Sequence, residues 1–154
     1  MATAVTMMAK ERGGPDILFQ LLFYPVTDSN FETDSYNEFA TNHWLTKEAM
    51  KWFWDNYLPD NVKRNEPTAS PLKASHEQLS ELPPAMIING EYDVLRDEGT
   101  AYAHKLNEAG VTVTAVRYLG TIHDFVLLNP ITETPATRAA IKQANEMLKD
   151  VFKR

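Results

Sequence analysis

The 154 residues predict an α/β domain in which a parallel sheet is flanked by helices. Three observations carry that expectation. The apolar runs Ile17 to Tyr24, Ala85 to Gly90 and Val111 to Tyr118 are short and bounded by turn signals, as buried strands are. Segments with helical periodicity separate them, which is the alternation of βαβ units with right-handed crossovers. Finally, no repeat, low-complexity tract or linker divides the chain, so residues 1–154 read as a single domain around one core.

The elements follow in order. Met1 to Arg12 opens inside a helical pattern, with Ala2, Val5, Met8 and Ala9 as its apolar stripe, and Gly13-Gly14-Pro15 stops it. Nothing caps that helix before Met1, so the reading is of a start cut inside a longer protein. Ile17 to Tyr24 is a strand ended by Pro25. Residues 26 to 45 form a long connection of the kind that lines or covers a site. Lys47 to Leu58 is an amphipathic helix whose Phe53, Trp54 and Tyr57 face reads as core. Phe31, Tyr36, Phe39 and Trp44, in the connection before it, are left open between core and pocket lining. The second strand, Ala85 to Gly90, leads into a helix capped at Asp97 and ended by Gly110. Val111 to Tyr118 is the third strand, with β-branched content, and Gly120 to Pro130 a loop. The final helix starts at the Thr134-Pro135 pair and carries Ala140, Ile141, Ala144, Leu148, Val151 and Phe152 on one stripe.

Composition closes off several classes of function. Lys and Arg number 15 against 21 Asp and Glu, a net charge of -6. No basic field is available to neutralise phosphates, so neither nucleic acid nor an anionic membrane surface is an expected partner. The absence of cysteine removes thiolate nucleophiles, disulfides and Cys-ligated metals, and no His, Asp and Glu spacing reads as a metal site, so no cofactor is expected. No apolar run is long enough to span a bilayer. Without a signal-peptide pattern the expected compartment is the cytoplasm.

In open α/β sheets, ligands bind beyond the carboxyl ends of the strands. Gly90 to Gly99, with Asp93, Asp97 and Glu98, follows the second strand, and Gly120 to Phe125, with His123, follows the third. An acidic loop and a histidine loop on neighbouring strands can place a carboxylate on a histidine Nδ1 and leave Nε2 as a general base. His43, His76 and His104 have no comparable setting. Ser70, in Ser70-Pro71, reads as a structural turn.

The spaced motifs Ser70-Pro-Leu-Lys-Ala74, Leu82-Pro-Pro84, Gly90-Glu-Tyr-Asp-Val-Leu-Arg-Asp-Glu-Gly99, Tyr102-Ala103, Gly110-Val111 and Gly120-Thr-Ile-His-Asp-Phe125 resemble the C-terminal half of the hormone-sensitive-lipase-like carboxylesterases, an α/β-hydrolase family. The resemblance runs from about Gly13 to the C-terminus. It implies a Ser-His-Asp triad acting on short to medium acyl esters, with Asp93 as the acid and His123 as the base. Asp97 would then be a helix cap or a partner of Arg96.

Two departures stand out. Asp124 occupies a position where the family commonly has glycine, next to the base. In addition, all six glycines lie at 13, 14, 90, 99, 110 and 120, so neither a Gly-x-Ser-x-Gly elbow nor a His-Gly-Gly-Gly oxyanion loop is present. The resemblance implies that the serine lies just upstream of Met1 and that these residues alone are inactive or nearly so. The alternative reading is a noncatalytic, self-associating module. Its routes are the bare edge of the first strand, or the last strand and helix, which commonly form a dimer contact in the family. Pairing with a separate N-terminal half is the remaining partner expectation.

Overall fold

A computed structural model describes residues 1–153. Three parallel strands, β1 (Gln20–Phe23), β2 (Ala85–Tyr92) and β3 (Val113–Ile122), lie in the order β1-β2-β3. The helices are α1 (Ala2–Arg12), α2 (Asp34–Glu38), α3 (Lys47–Tyr57), α4 (His76–Leu79), α5 (Arg96–Glu108) and α6 (Pro135–Phe152). The α/β architecture predicted from the sequence is the one observed. Among the described residues no helix is long and apolar enough to cross a membrane, and no cluster of His, Cys, Asp and Glu could hold a metal ion.

β2 is the centre of the domain. Its first six residues are buried, as a strand flanked by partners and covered on both faces must be. Leu22 and Ile87 point to one face, where Met7 of α1 and Tyr102, Ala103 and Leu106 of α5 cover them. Met86 and Ile88 point to the other, against Phe125 and the Ala140 and Ala144 stripe of α6. A third cluster, Tyr36, Phe39, Met50, Trp54, Val94 and Leu95, packs α2 and α3 together with the loop that follows β2.

Several local expectations are corrected. β1 is four residues long because pairing with β2 begins only where Gln20 N–H reaches the Pro84 carbonyl. α1 buries Thr3, Ala4, Thr6 and Met7 instead of the Ala2, Val5, Met8 and Ala9 stripe, and Val5 is 51% exposed. The Thr6 hydroxyl is satisfied by the Thr3 carbonyl, so a threonine face can go down onto the sheet without an unpaired group. Of the aromatic face of α3, only Trp54 is core, while Phe53 and Tyr57 are 50% and 63% exposed. In α6 the buried apolar residues reduce to Ala140 and Ala144, whose small side chains let the helix lie close to β3. The third strand runs on to Ile122, so most of the segment read as the start of a loop is sheet.

Helix ends obey capping chemistry. Thr46 and Thr134 accept N–H bonds at the starts of α3 and α6, Ser75 and Gln78 form a reciprocal capping box on α4, and Gly13 closes α1 in the left-handed conformation. Asp97 is not a cap, because α5 begins one residue before it.

The feature that positions the site is an irregularity between Gly90 and Tyr92, where the β2–β3 register shifts. There the strands approach so closely that a Cβ on Gly90 would sit 3.1 Å from the Ile122 carbonyl oxygen and 3.2 Å from that of Thr121. Gly90→Ala is expected to destabilise the domain by about 1–3 kcal/mol, the usual cost of overpacking, as read from urea denaturation. A loss below about 0.5 kcal/mol would show that the two strands separate freely there.

Candidate active site

Asp93 follows β2 directly and is completely buried at its side chain. Its Oδ1 accepts the Leu95 N–H at 2.9 Å and its own carbonyl accepts the Arg96 N–H at 3.0 Å, a turn that starts α5. Oδ2 is left for one partner, the His123 Nδ1 at 2.8 Å. A buried carboxylate only accepts, so Nδ1 carries the proton and Nε2 presents its lone pair. The His123 side chain is mostly buried, and the Tyr24 ring packs edge-on to it with centroids 4.6 Å apart. Tyr24 is itself at φ 37°, at the point where β1 turns into Pro25. Burial, with help from Asp124 and Asp93, pushes its phenol well above the ordinary range, so it is a neutral wall for the imidazole.

The remaining acids of the loop are separated by what they touch. Asp97 pairs with Arg96 Nε at 2.8 Å and accepts the Ser35 N–H at 2.7 Å. Burial alone would raise its carboxyl, but Arg96 and the Ser35 amide outweigh that and hold it below the usual range. It faces α2 and not the histidine. Asp124 lies on the other side of the ring, its Oδ1 3.5 Å from Nε2 and out of hydrogen-bonding geometry, so it does not compete with Asp93 for Nδ1. Its φ of 62° explains a glycine preference at that position: the chain turns there through the left-handed region, which aspartate tolerates better than most residues.

Glu98 is a feature that sequence reasoning passed over. It is buried in α5, and its Oε1 accepts the backbone N–H groups of Thr27 at 2.6 Å and Asp28 at 3.1 Å. The loop after β1 is thereby tied to the helix that follows Asp93. Glu98 Oε2 and the Tyr36 hydroxyl are buried without partners. Burial pushes the Glu98 carboxyl up to about 8, against the pull of the two backbone amides, and Asp28 and Asp93 add to the rise. The signal available in the sequence was only its place in the Gly90–Gly99 run.

The aromatics of the long connection divide. Tyr36 and Phe39 are core, Phe31 packs against them, and Trp44 is exposed, its indole Nε1 donating to Asp124 Oδ2 at 3.2 Å. His43 stacks on Tyr92, while His76 and His104 are exposed and remote. Ser70 is buried and donates its hydroxyl to the Arg64 carbonyl at 2.5 Å, a structural role as expected.

The assembly thus presents a basic imidazole nitrogen, oriented by a buried carboxylate, at the carboxyl ends of β2 and β3. It can take up and return a proton. A family model described as alpha/beta hydrolase fold matches residues 1–127. The carboxylic ester hydrolase LipN of Mycobacterium tuberculosis is 43% identical over 122 residues, which are 78% of this chain and 32% of that protein. Ethyl acetate hydrolase of Pseudomonas putida is 34% identical over 114 residues, 74% of this chain and 35% of that protein. The crystal structure of a thermostable esterase from Pseudomonas putida matches with a TM-score of 0.92 at 59% identity, covering 93% of this chain and 45% of that one. The chain therefore spans less than half the length of each of these relatives.

Glu98 makes a pH prediction. Its folded-state value near 8 lies above the ordinary 4.5, so between these limits the unfolded chain binds fewer protons and stability falls as pH rises. The contribution is complete below about 4.5 and lost by the time pH has passed about 8. Glu98→Gln, which keeps an acceptor for Thr27 and Asp28, is expected to flatten that decline. Thermal melts of both proteins between pH 5 and pH 9 (roughly the window of this linkage) check it, and parallel curves would refute it.

Proposed function

The chain belongs to the alpha/beta hydrolase fold family, and from that premise we propose that it supplies the acid and base of a Ser-His-Asp carboxylic ester hydrolase. The observation that carries the reading is the 2.8 Å bond from His123 Nδ1 to buried Asp93, which leaves Nε2 as the only free proton acceptor of the ring. In the reaction, Nε2 takes the proton of a serine as it attacks the ester carbonyl and returns it to the departing alkoxide, while Asp93 holds the tautomer and stabilises the imidazolium. These 154 residues contain no Gly-x-Ser-x-Gly elbow. The serine and the oxyanion donors come from a preceding segment of a longer polypeptide or from a second polypeptide. The substrates are esters of short to medium acyl chains, in line with the esterase relatives.

A second reading is favoured by one observation. The sheet leaves the outer edge of β1 unpaired, beside the partly buried Leu21 and Phe23, and such an edge can pair with another copy. A self-associating module without activity follows from it.

Hydrolysis of p-nitrophenyl butyrate decides between these. With an elbow-bearing N-terminal half added or fused, activity is expected. Loss of the triad acid in Asp93→Asn should lower kcat by about 10⁴, a magnitude known from serine proteases, and His123→Ala should do at least as much. Hydrolysis by the unsupplemented chain, abolished in His123→Ala, would place the nucleophile within these residues and overturn the divided triad. Silence in every combination, with dimers in sedimentation equilibrium, would favour the module.

A further inference from the structure

One carboxylate bridges two distant parts of the chain beside the base. Asp124 Oδ1 is 3.5 Å from His123 Nε2, and Asp124 Oδ2 accepts the Trp44 indole N–H at 3.2 Å. The indole therefore stands only one carboxylate away from the nitrogen that hands protons to a reacting group. The two partners are 80 residues apart in sequence, and both are held in left-handed backbone, Asp124 at φ 62° and Trp44 at φ 71°, with Asn42 at φ 65° in the same loop. Left-handed conformations of non-glycine residues persist only where their surroundings impose them, and they concentrate at working sites. Here the loop is anchored on both sides of the indole: His43 stacks on Tyr92 and packs edge-on against Phe39, and the Lys47 N–H bonds the Ala40 carbonyl. The Trp44 ring nevertheless remains 60% exposed, so its placement is not explained by core packing.

We infer that Trp44 is the wall of the alcohol side of the site and that Asp124 is a positioning residue that holds it there. This rests on the ester hydrolase reading. In acyl transfer Nε2 gives its proton to the departing oxygen, so the alcohol portion of the ester lies next to Nε2 and the acyl chain points away from it. A flat apolar ring at that place favours aromatic alcohol portions through stacking and burial. The acyl chain does not meet it. The chemical class preferred is thus an ester of an uncharged aryl or arylalkyl alcohol, since an anionic alcohol would also meet the Asp124 carboxylate.

Binding and turnover test this separately. In NMR spectra of the chain, benzyl alcohol is expected to shift the Trp44 indole N–H and the His123 ring signals together, and Trp44→Ala should abolish the His123 response. An indole signal that ignores benzyl alcohol, or a His123 shift that survives Trp44→Ala, would overturn the wall. Asp124→Gly suits the left-handed backbone while removing the acceptor, so it should release the indole N–H. Asp124→Asn keeps an acceptor and should rescue it, and an unchanged indole signal in the glycine variant would overturn the positioning role. In the completed enzyme, kcat/KM for benzyl butyrate relative to ethyl butyrate should fall about tenfold in Trp44→Ala and in Asp124→Gly but not in Asp124→Asn, with the butyrate to acetate ratio unchanged. If the completed enzyme is inert while the NMR responses hold, the ester hydrolase reading fails and the aromatic site stands.

Discussion

The hydrogen bond between His123 Nδ1 and Asp93 depends on the parallel pairing of β2 with β3, and much of the fold is arranged around that pairing. Both residues sit just past the carboxyl ends of their strands, so the distance between them is set by register. The register shifts between Gly90 and Tyr92, where a side chain on Gly90 would crowd the Thr121 and Ile122 carbonyls. A buried carboxylate without a partner would be costly. Asp93 avoids that by accepting one backbone N–H and one imidazole N–H, and the same two bonds orient the ring.

The surroundings of this pair are unusually rich in acids, and each is handled by a different piece of chemistry. Asp97 is neutralised by Arg96 and tied to Ser35, which draws α2 onto the acid loop. Glu98, denied a cation, is raised instead by burial, and its bonds to the Thr27 and Asp28 amides fasten the loop after β1 to α5. Asp28 has Lys73 at 3.3 Å. Asp124 stays at the surface and bonds Trp44. The acids around the Asp93–His123 pair therefore come from three places: the connection after β1 (Asp28), α5 (Asp97 and Glu98) and the turn after β3 (Asp124).

The elements legible in advance were those whose signals are local. The Thr134-Pro135 start of the last helix, the stop at Gly13-Gly14-Pro15 and the Ala85 to Gly90 run each act within a turn or a strand, so the sequence around them is sufficient. Faces were harder. α1 carries threonines on the side that meets the sheet, and α3 has aromatics on both sides, so periodicity alone does not reveal which side is buried. The extension of β3 to Ile122 was hidden because Gly120 and Thr121 read as a turn, while pairing with Tyr92 keeps the segment in the sheet.

The sequence by itself determined the α/β class, the strand order along the chain and the two loops that carry Asp93 and His123, because motif spacing and hydrophobic period are properties of neighbouring residues. The tertiary structure alone decided which carboxylate meets which nitrogen, that Tyr24 walls the ring, that Glu98 is buried against the Thr27 and Asp28 amides and that Trp44 reaches Asp124. Those contacts join residues 30, 71 and 80 positions apart in sequence, and Tyr24 and His123 lie farther apart still. Their geometry follows from strand register and helix packing, and no local pattern encodes it.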